Sequence, residues 1–249
     1  MNEVRPRRSG VLDATAFALA GVAILIGLGV WQLDRKTWKE QLIATTMARL
    51  GATVPGPLPS RDRWDQLDSA NDEFRRVAFP AELLNDKEAL VYTSGSALRP
   101  DVTGQGYWVF TPARLPGGSV VVVNRGFVPA DHKSPVTRTE GALTGLVDIT
   151  GVLRWPEERG LFAPQDEPNN NVWYLRDQRL MARAKDWGPV APFYIDQEEP
   201  QPPGGLPRAG KLSLALPNNH LQYAITWFGL ALGLAGVYVV WLAGRWRRR

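Results

Sequence analysis

The chain has 249 residues, with 29 Lys and Arg against 25 Asp and Glu, for a formal charge of +4. It contains no cysteine, which excludes disulfide scaffolds, Cys-ligated zinc, iron–sulfur clusters, thiol catalysis and Cys-based copper transfer. Two histidines, His132 and His220, leave little for a His-rich metal site, and the mean hydropathy of -0.21 averages a polar middle with two strongly apolar ends.

Residues 14–33, ATAFALAGVAILIGLGVWQL, carry no ionisable side chain. At ~1.5 Å rise per residue such a run spans a hydrocarbon core of ~30 Å, so a first transmembrane helix is predicted here. Phe17 and Trp31 near its ends suit the membrane interface. The stretch at its far edge, WQLDRKTWKE, is bulky and charged, which reads as an uncleaved anchor rather than a signal peptide. Trp31, Arg35, Trp38, Leu42 and Thr45/Thr46 keep a helical spacing over 34–50, and VPGPLPS (54–60) breaks it. Residues 60–72 are predicted as a short helix capped by Ser60.

Strand signals then dominate: 74–83, 88–94, 106–115, 119–129, 146–155 and 171–175. Pro116-Gly117-Gly118 reads as a hairpin turn between two of them. Residues 176–188 are predicted as a helix stopped by Gly188 and Pro189, 192–196 as a strand, and 198–210 as a Pro/Gly linker back to the membrane. The last element, 221–243 (LQYAITWFGLALGLAGVYVVWLA), is a second uncharged run flanked by aromatic residues, and a second transmembrane helix.

The expected fold class is therefore a membrane protein. Two transmembrane α-helices flank an α+β domain, mainly antiparallel β and folded as a barrel or sandwich. The expected divisions are a tail over 1–13, spans over 14–33 and 221–243, a β-rich domain over 34–220 and a basic tail over 244–249. Outside 34–220 there are seven basic and two acidic residues; inside it there are 22 basic and 23 acidic. The positive-inside rule then places both tails in the cytoplasm and the domain on the far side. Arg35, Lys36, Lys39 and Arg49 oppose that bias, but long loops translocate largely regardless of charge. A bacterial inner membrane with the domain in the periplasm is the expected setting.

Chemistry has few places to reside. No nucleophile elbow, P-loop or G-x-G-x-x-G is present, and TGQGYW (103–108) reads as a turn before a strand. His132 lies in PADHKSP as a solvated turn residue, and Glu157/Glu158 and Glu198/Glu199 read as solvated turns. The near-neutral domain gives no support for nucleic-acid binding. Gly229 and Gly233 form a G-x-x-x-G, and Ala16 and Ala20 share its spacing; both are candidate helix-packing faces.

His220 stands apart, because PNNHLQYAITWFGLA puts an imidazole where the apolar run begins. A neutral imidazole can give one ring nitrogen to a metal, an axial bond to haem iron included, while a hydrogen bond fixes the other. Tyr223, Trp227, Phe228 and Trp31 would then lie around it. The alternative is that Asn218 or Asn219 caps the helix and His220 only occupies its first turn.

Five stretches, LGVWQLDRKTWKEQLI (28–43), GYWVFTPARLPGGSVVVVNRGFVP (106–129), VDITGVLR (147–154), NVWYLRD (171–177) and NNHLQYAITWFGLA (218–231), occur together and in order. With them the chain closely resembles the surfeit locus protein 1 family of cytochrome c oxidase assembly factors. The resemblance implies a non-enzymatic role: transient binding of haem a, its receipt from haem a synthase and its insertion into the catalytic subunit of cytochrome c oxidase. It implies His220 as the haem ligand. Trp31, Gln32 and Arg35 match the family's motif at the first span's edge, where Arg35 would pair with a haem propionate or snorkel to water. Tyr223 and Trp227 complete the candidate haem-binding set. Asn124-Arg125-Gly126 matches a family segment read as structural, with Gly126 at a bulge and Arg125 tied into the barrel. Phe127 stands where many members have Trp, and Pro80-Ala81 where a Gly is common. The rival reading is a cofactor-free scaffold holding oxidase subunits or the haem synthase in the bilayer. A copper donor is disfavoured, because soft copper sites want Cys or clustered Met and the chain has only Met1, Met47 and Met181.

Overall fold

The structure is a computed structural model that describes residues 9–51, 54–213 and 218–247. Arg5, Arg7, Arg8, Arg248 and Arg249 of the two expected basic tails lie outside the described residues. The chain divides into two compact units, Thr45–Ala215 and the combination of Met1–Ala44 with Leu216–Arg249.

The second of these is a helix pair. Helix α1 (Ser9–Leu50) runs without interruption through the expected span and its extension, and α4 (His220–Trp246) forms the other span. Both are long and apolar enough to cross a bilayer. They lie antiparallel. The Thr15 and Tyr238 hydroxyls meet at 2.6 Å, Gly21 faces Leu234, Gly29 faces Phe228, and Gln32 meets His220. The more buried positions of α1 include Val11, Ala14, Ala18, Gly21, Leu25, Leu28 and Gln32, flanked by Thr15, Val22 and Gly29, and those of α4 include His220, Ala224, Trp227, Ala231, Leu234 and Tyr238, flanked by Phe228 and Ala235. That alternation of three and four is the 3.5-residue repeat of two helices packed side by side. Close approach rests on Gly21 and Gly29 against α4, with Ala224 and Ala231 buried. The expected G-x-x-x-G is not the contact: a Cβ at Gly229 or Gly233 would meet nothing within 4 Å, and Ala16 and Ala20 are exposed. The seam's period, not the spacing of the glycines, decides which small residues face inward.

The other unit is a barrel. Its strands are β1 (Gly56–Pro57), β2 (Arg76–Leu83), β3 (Ala89–Gly95), β4 (Thr103–Arg114), β5 (Val120–Pro129), β6 (Leu146–Arg154), β7 (Val172–Trp173) and β8 (Val190–Glu199). The sheet order is β1-β2-β6-β8-β5-β4-β3-β7, and β2 also pairs with β4 through Glu82↔Arg114 and Leu83↔Ala113. That second pairing closes β2, β6, β8, β5 and β4 into a ring, leaving β3 and β7 outside β4 and β1 outside β2. Within the ring only β5–β8 is parallel.

Alternate residues of all five ring strands, such as Phe79, Ala113, Val121, Val123, Ile149, Leu153, Phe193 and Ile195, form one core, which Trp64 joins. Opposite faces of β4, β5 and β8 form a second core with β3, β7 and α3 (Gln178–Ala184), through Phe110, Val122, Tyr194, Trp173 and Met181. The run Val120–Val123 is apolar without alternation because β5 is buried on both faces.

Several local expectations shift. Residues 60–72 divide into a 3-10 turn over Arg61–Gln66 and a one-turn helix, α2 (Ser69–Asp72). Ser60 makes no capping bond, and Asp68 caps α2 by accepting from the Asn71 N–H at 2.8 Å. The strand expected at 171–175 shortens to two residues, because Asn171 turns left-handed at φ 52. Helix α3 begins at Gln178, where Asp177 accepts from the Arg179 and Leu180 N–H groups. The Leu115–Ser119 turn holds Gly118 at φ 81, as the Pro-Gly-Gly signal requires.

The segment 198–210 is not a free linker. Strand β8 continues through Glu199, and Glu198, far from being a solvated turn, is buried and accepts two bonds from Arg76 at 2.7 and 3.0 Å. Farther on, Arg208 exchanges two backbone bonds with Phe127, and buried Arg99 donates to the carbonyls of Arg208, Ala209 and Gly210. Gly126 makes this possible. Its φ is +122, and a Cβ there would lie 2.2 Å from the Arg208 carbonyl oxygen. Arg125 and Gly126 together oppose one residue of β4, a bulge that ends the β5–β8 pairing at Asn124↔Asp196 and frees β5 for the return segment.

Candidate functional site

The buried charged side chains of the barrel are engaged in structural bonds. Asp196, buried on β8, accepts from Asn124 Nδ2 at 2.6 Å and Arg154 at 3.1 Å, and Arg154 also donates to Glu73 at 3.0 Å. Burial disfavours the Arg154 charge, but Tyr194, Asp196 and Glu73 outweigh it and hold its pKa above the ordinary value. Burial pushes the Tyr194 hydroxyl up and Asp196 adds to it, against the opposing charges of Arg154 and Arg176. Arg138 pairs with Glu88 through two bonds. Arg125, tied into the barrel as expected, donates to Asn85 Oδ1 at 2.8 Å and to the Gly141 carbonyl. With no carboxylate bonded to it, burial lowers its pKa to about 10; Glu88 opposes that and Arg138 reinforces it. Glu157, half-buried rather than solvated, pairs with Arg176 at 2.7 Å. Among the described residues no group of three or more His, Asp or Glu could hold a metal ion. His132 lies half-exposed in a 3-10 turn, as read from its neighbours.

One imidazole remains, in the helix pair. His220 is the first residue of α4 and half-buried, and its Nδ1 lies 2.7 Å from Gln32 Oε1. Since a carboxamide oxygen only accepts, Nδ1 carries the proton and donates. Nε2, the other ring nitrogen, has no hydrogen-bond partner among the described residues. This is the arrangement in which a histidine binds a metal: one nitrogen fixed by an outer partner, the other free. The helix-capping alternative lacks its bonds. Among the described residues, Asn219 occupies the cap position without a side-chain bond, and Asn218 Oδ1 is buried with no partner.

The remaining sequence-derived candidates are distributed around this end of the pair. Arg35 lies one turn beyond Gln32 on α1, exposed, with its guanidinium stacked 4.2 Å over the Trp38 ring. It forms no ion pair among the described residues, so its hydrogen-bonding edge can accept an anion. Trp31 and Tyr223 are exposed (54% and 55%), and Trp227 is half-buried on the seam two turns below His220. No ring stacking joins these three, and the hydrogen bond that links the two helices here is His220–Gln32, among the described residues. Gln32 is the residue whose role the sequence alone leaves unassigned. Its signal is a carboxamide at a seam position between Leu28 and Lys36, where the 3.5-residue repeat otherwise calls for apolar packing.

The SURF1 family model matches residues 19–232, from within α1 into α4. A SURF1-like protein of Monosiga brevicollis is 38% identical over 226 residues, covering 86% of this chain and 82% of that protein. Surfeit locus protein 1 of Rattus norvegicus is 35% identical over 224 residues (86% and 71% of the two chains), and that of Homo sapiens 35% over 251 residues (91% and 81%).

Proposed function

This chain belongs to the SURF1 family, and on that premise we propose that it is a cytochrome c oxidase assembly factor that binds haem a transiently and helps insert it into the oxidase's catalytic subunit. The role is binding and transfer rather than catalysis. Its partners would be that subunit, haem a synthase and the lipid bilayer, and its setting a bacterial inner membrane with the barrel on the periplasmic side, an orientation supported by the basic bias of the tails.

The observation that carries the reading is the His220–Gln32 contact at 2.7 Å. A bound haem would supply an iron that an imidazole nitrogen can ligate. By accepting from Nδ1, Gln32 would limit ring rotation and leave Nε2 to serve as the ligand. Arg35 would bind a propionate through its unpaired guanidinium, and Trp31, Tyr223 and Trp227 offer apolar ring surface for the macrocycle and its tail. The donor set fits the group: one free imidazole nitrogen, one unpaired cation and aromatic surface within about two helical turns.

The test is to purify wild type, His220→Ala and Gln32→Leu from cells making haem a and compare haem content and visible spectra. Wild type should carry haem a, His220→Ala should lose it or change its spectrum, and Gln32→Leu should bind it more weakly. Identical haem content and spectra in wild type and His220→Ala would refute the ligand assignment and leave the cofactor-free scaffold.

A further inference from the structure

A cleft in the barrel unit gathers cations that the fold leaves without carboxylate partners. It measures about 480 Å³, within the roughly 300–1,000 Å³ of small-molecule sites. Three parts of the chain form it: residues between 85 and 90 at the start of β3, residues 133–135 after β5, and Asn171 just before β7 with Lys185 just after α3. Leu90 and Pro135 supply apolar wall, and Lys133 and Lys185 bring two ammonium groups.

Neither lysine pairs with a carboxylate among the described residues. Lys133 Nζ lies 5.2 Å from the centroid of the Tyr107 ring. Lys185 Nζ donates to Asn171 Oδ1 at 3.0 Å, and Asn171 Nδ2 donates to the Glu88 carbonyl at 3.1 Å, so the amide holds the ammonium at the cleft. The Glu88 carboxylate is already taken, because both its oxygens accept from Arg138. Asp86 also lines the cleft, but it is exposed and bonds neither lysine among the described residues. Burial holds the Lys185 pKa below the usual lysine value, with Glu88 opposing.

Charge selects the ligand. Arg125 donates to Asn85, a lining residue, as Arg138 does to Glu88. Among the lining groups and the arginines bonded to them, Lys133, Lys185, Arg125 and Arg138 stand against Glu88 and Asp86: four cations, two carboxylates and a surplus of two. That surplus suits a dianion, and a phosphate monoester carries about −1.5 to −2 at pH 7. Lysine meets phosphate as a compact point charge, whereas a planar carboxylate favours the arginine fork, and the fork of Arg138 is occupied. The Ser134 hydroxyl, also at the cleft, can donate to a phosphoryl oxygen. We propose that this cleft binds an organic phosphate, with the phosphoryl group on Lys133 and Lys185 and the apolar body against Leu90 and Pro135. A soluble ester and a lipid headgroup both present that chemistry. The site belongs to the barrel's own residues and does not depend on the haem reading.

The test uses the full chain in phosphatidylcholine nanodiscs, its six lysines reductively methylated with carbon-13, a change that keeps their charge. Phenyl phosphate is titrated in at ~0.15 M salt and the lysine signals are followed by NMR. Lys133 and Lys185 should shift together and saturably, with Lys36, Lys39, Lys87 and Lys211 unmoved. Lys133→Gln and Lys185→Gln should each raise the apparent Kd about tenfold or more, and Lys87→Gln should leave it unchanged. Succinate should bind less tightly. A second arm replaces phenyl phosphate by phosphatidic acid in the discs. Movement of Lys133 and Lys185 there assigns the phosphate to a lipid headgroup, and movement with phenyl phosphate alone assigns it to a soluble ester. The proposal is overturned if neither probe moves these two signals, if phenyl phosphate moves all six lysines alike, or if succinate binds as tightly as phenyl phosphate.

Discussion

Asp196→Ala tests the reading of the barrel's polar residues as structural. Asp196 is 5% exposed and accepts from Arg154 at 3.1 Å and Asn124 at 2.6 Å. Its removal leaves Arg154, 7% exposed, with Glu73 as its remaining carboxylate, and leaves the Asn124 amide unbonded. Removing one partner of a buried ion pair costs ~3–5 kcal/mol, since the other charge stays desolvated. The Asn124 penalty overlaps with this and is not added. For a unit of this size the loss corresponds to a fall in melting temperature of roughly 6–20 °C, at ~2–4 °C per kcal/mol. The assay is guanidinium unfolding of the full chain in detergent, followed by fluorescence of the buried Trp64, Trp108, Trp173 and Trp187. Replacing Arg154 and Asp196 together by leucine should recover most of the loss, because neither charge then remains buried. A single-variant cost below about 1 kcal/mol, or a double variant as unstable as the two singles combined, would refute the reasoning.

Three further outcomes are expected from the geometry. Gly126→Val forces a β-branched residue to φ +122 and drives its Cβ into the Arg208 backbone, so it should cost at least ~2 kcal/mol and release the return segment, seen as faster amide exchange at Phe127 and Arg208. Gly29→Val meets the Phe228 ring at 2.5 Å and should separate α1 from α4, measured by double electron–electron resonance between labels on the two helices, whereas Gly229→Val enters open space and should leave the distance unchanged. Asp101 has its pKa lowered, chiefly by the Arg99 hydrogen bond. Its ionised form is favoured in the folded state, so its contribution is complete above the unfolded value of ~3.9 and is lost as pH falls through the lower folded value. Asp101→Asn should therefore lower the denaturant midpoint near neutral pH by a small amount, the carboxylate being half exposed, and the gap from wild type should narrow in acid. A gap that widens in acid contradicts the sign.

Much of this molecule is legible in its sequence, for reasons confined to short stretches of chain. Two long uncharged apolar runs read as spans, because their length matches a hydrocarbon core and they carry no charge that would be costly within it. The strands over 76–83, 103–114, 120–129 and 146–154 announce themselves by residue type and turn chemistry, which are local. The 3-10 turn and α2 are legible only as one element, since Ser60 and Asp68 compete as caps over a few residues.

The ring closure, the partner of the bulge and the orientation of α4 are set by contacts between residues far apart in sequence. Glu82 finds Arg114, Phe127 finds Arg208, and Glu198, expected in water, meets Arg76 across β6. Gly229 and Gly233 carry a packing motif and still face away from α1, because rotation about the helix axis is fixed by the whole seam and not by two glycines. The sequence placed His220 where the second apolar run begins, and the resemblance implied a ligand role for it. Only tertiary structure brought Gln32, 188 positions away, onto its Nδ1, and so decided which ring nitrogen is free. A tautomer is set by what lies across from the ring, and that depends on how two distant helices meet.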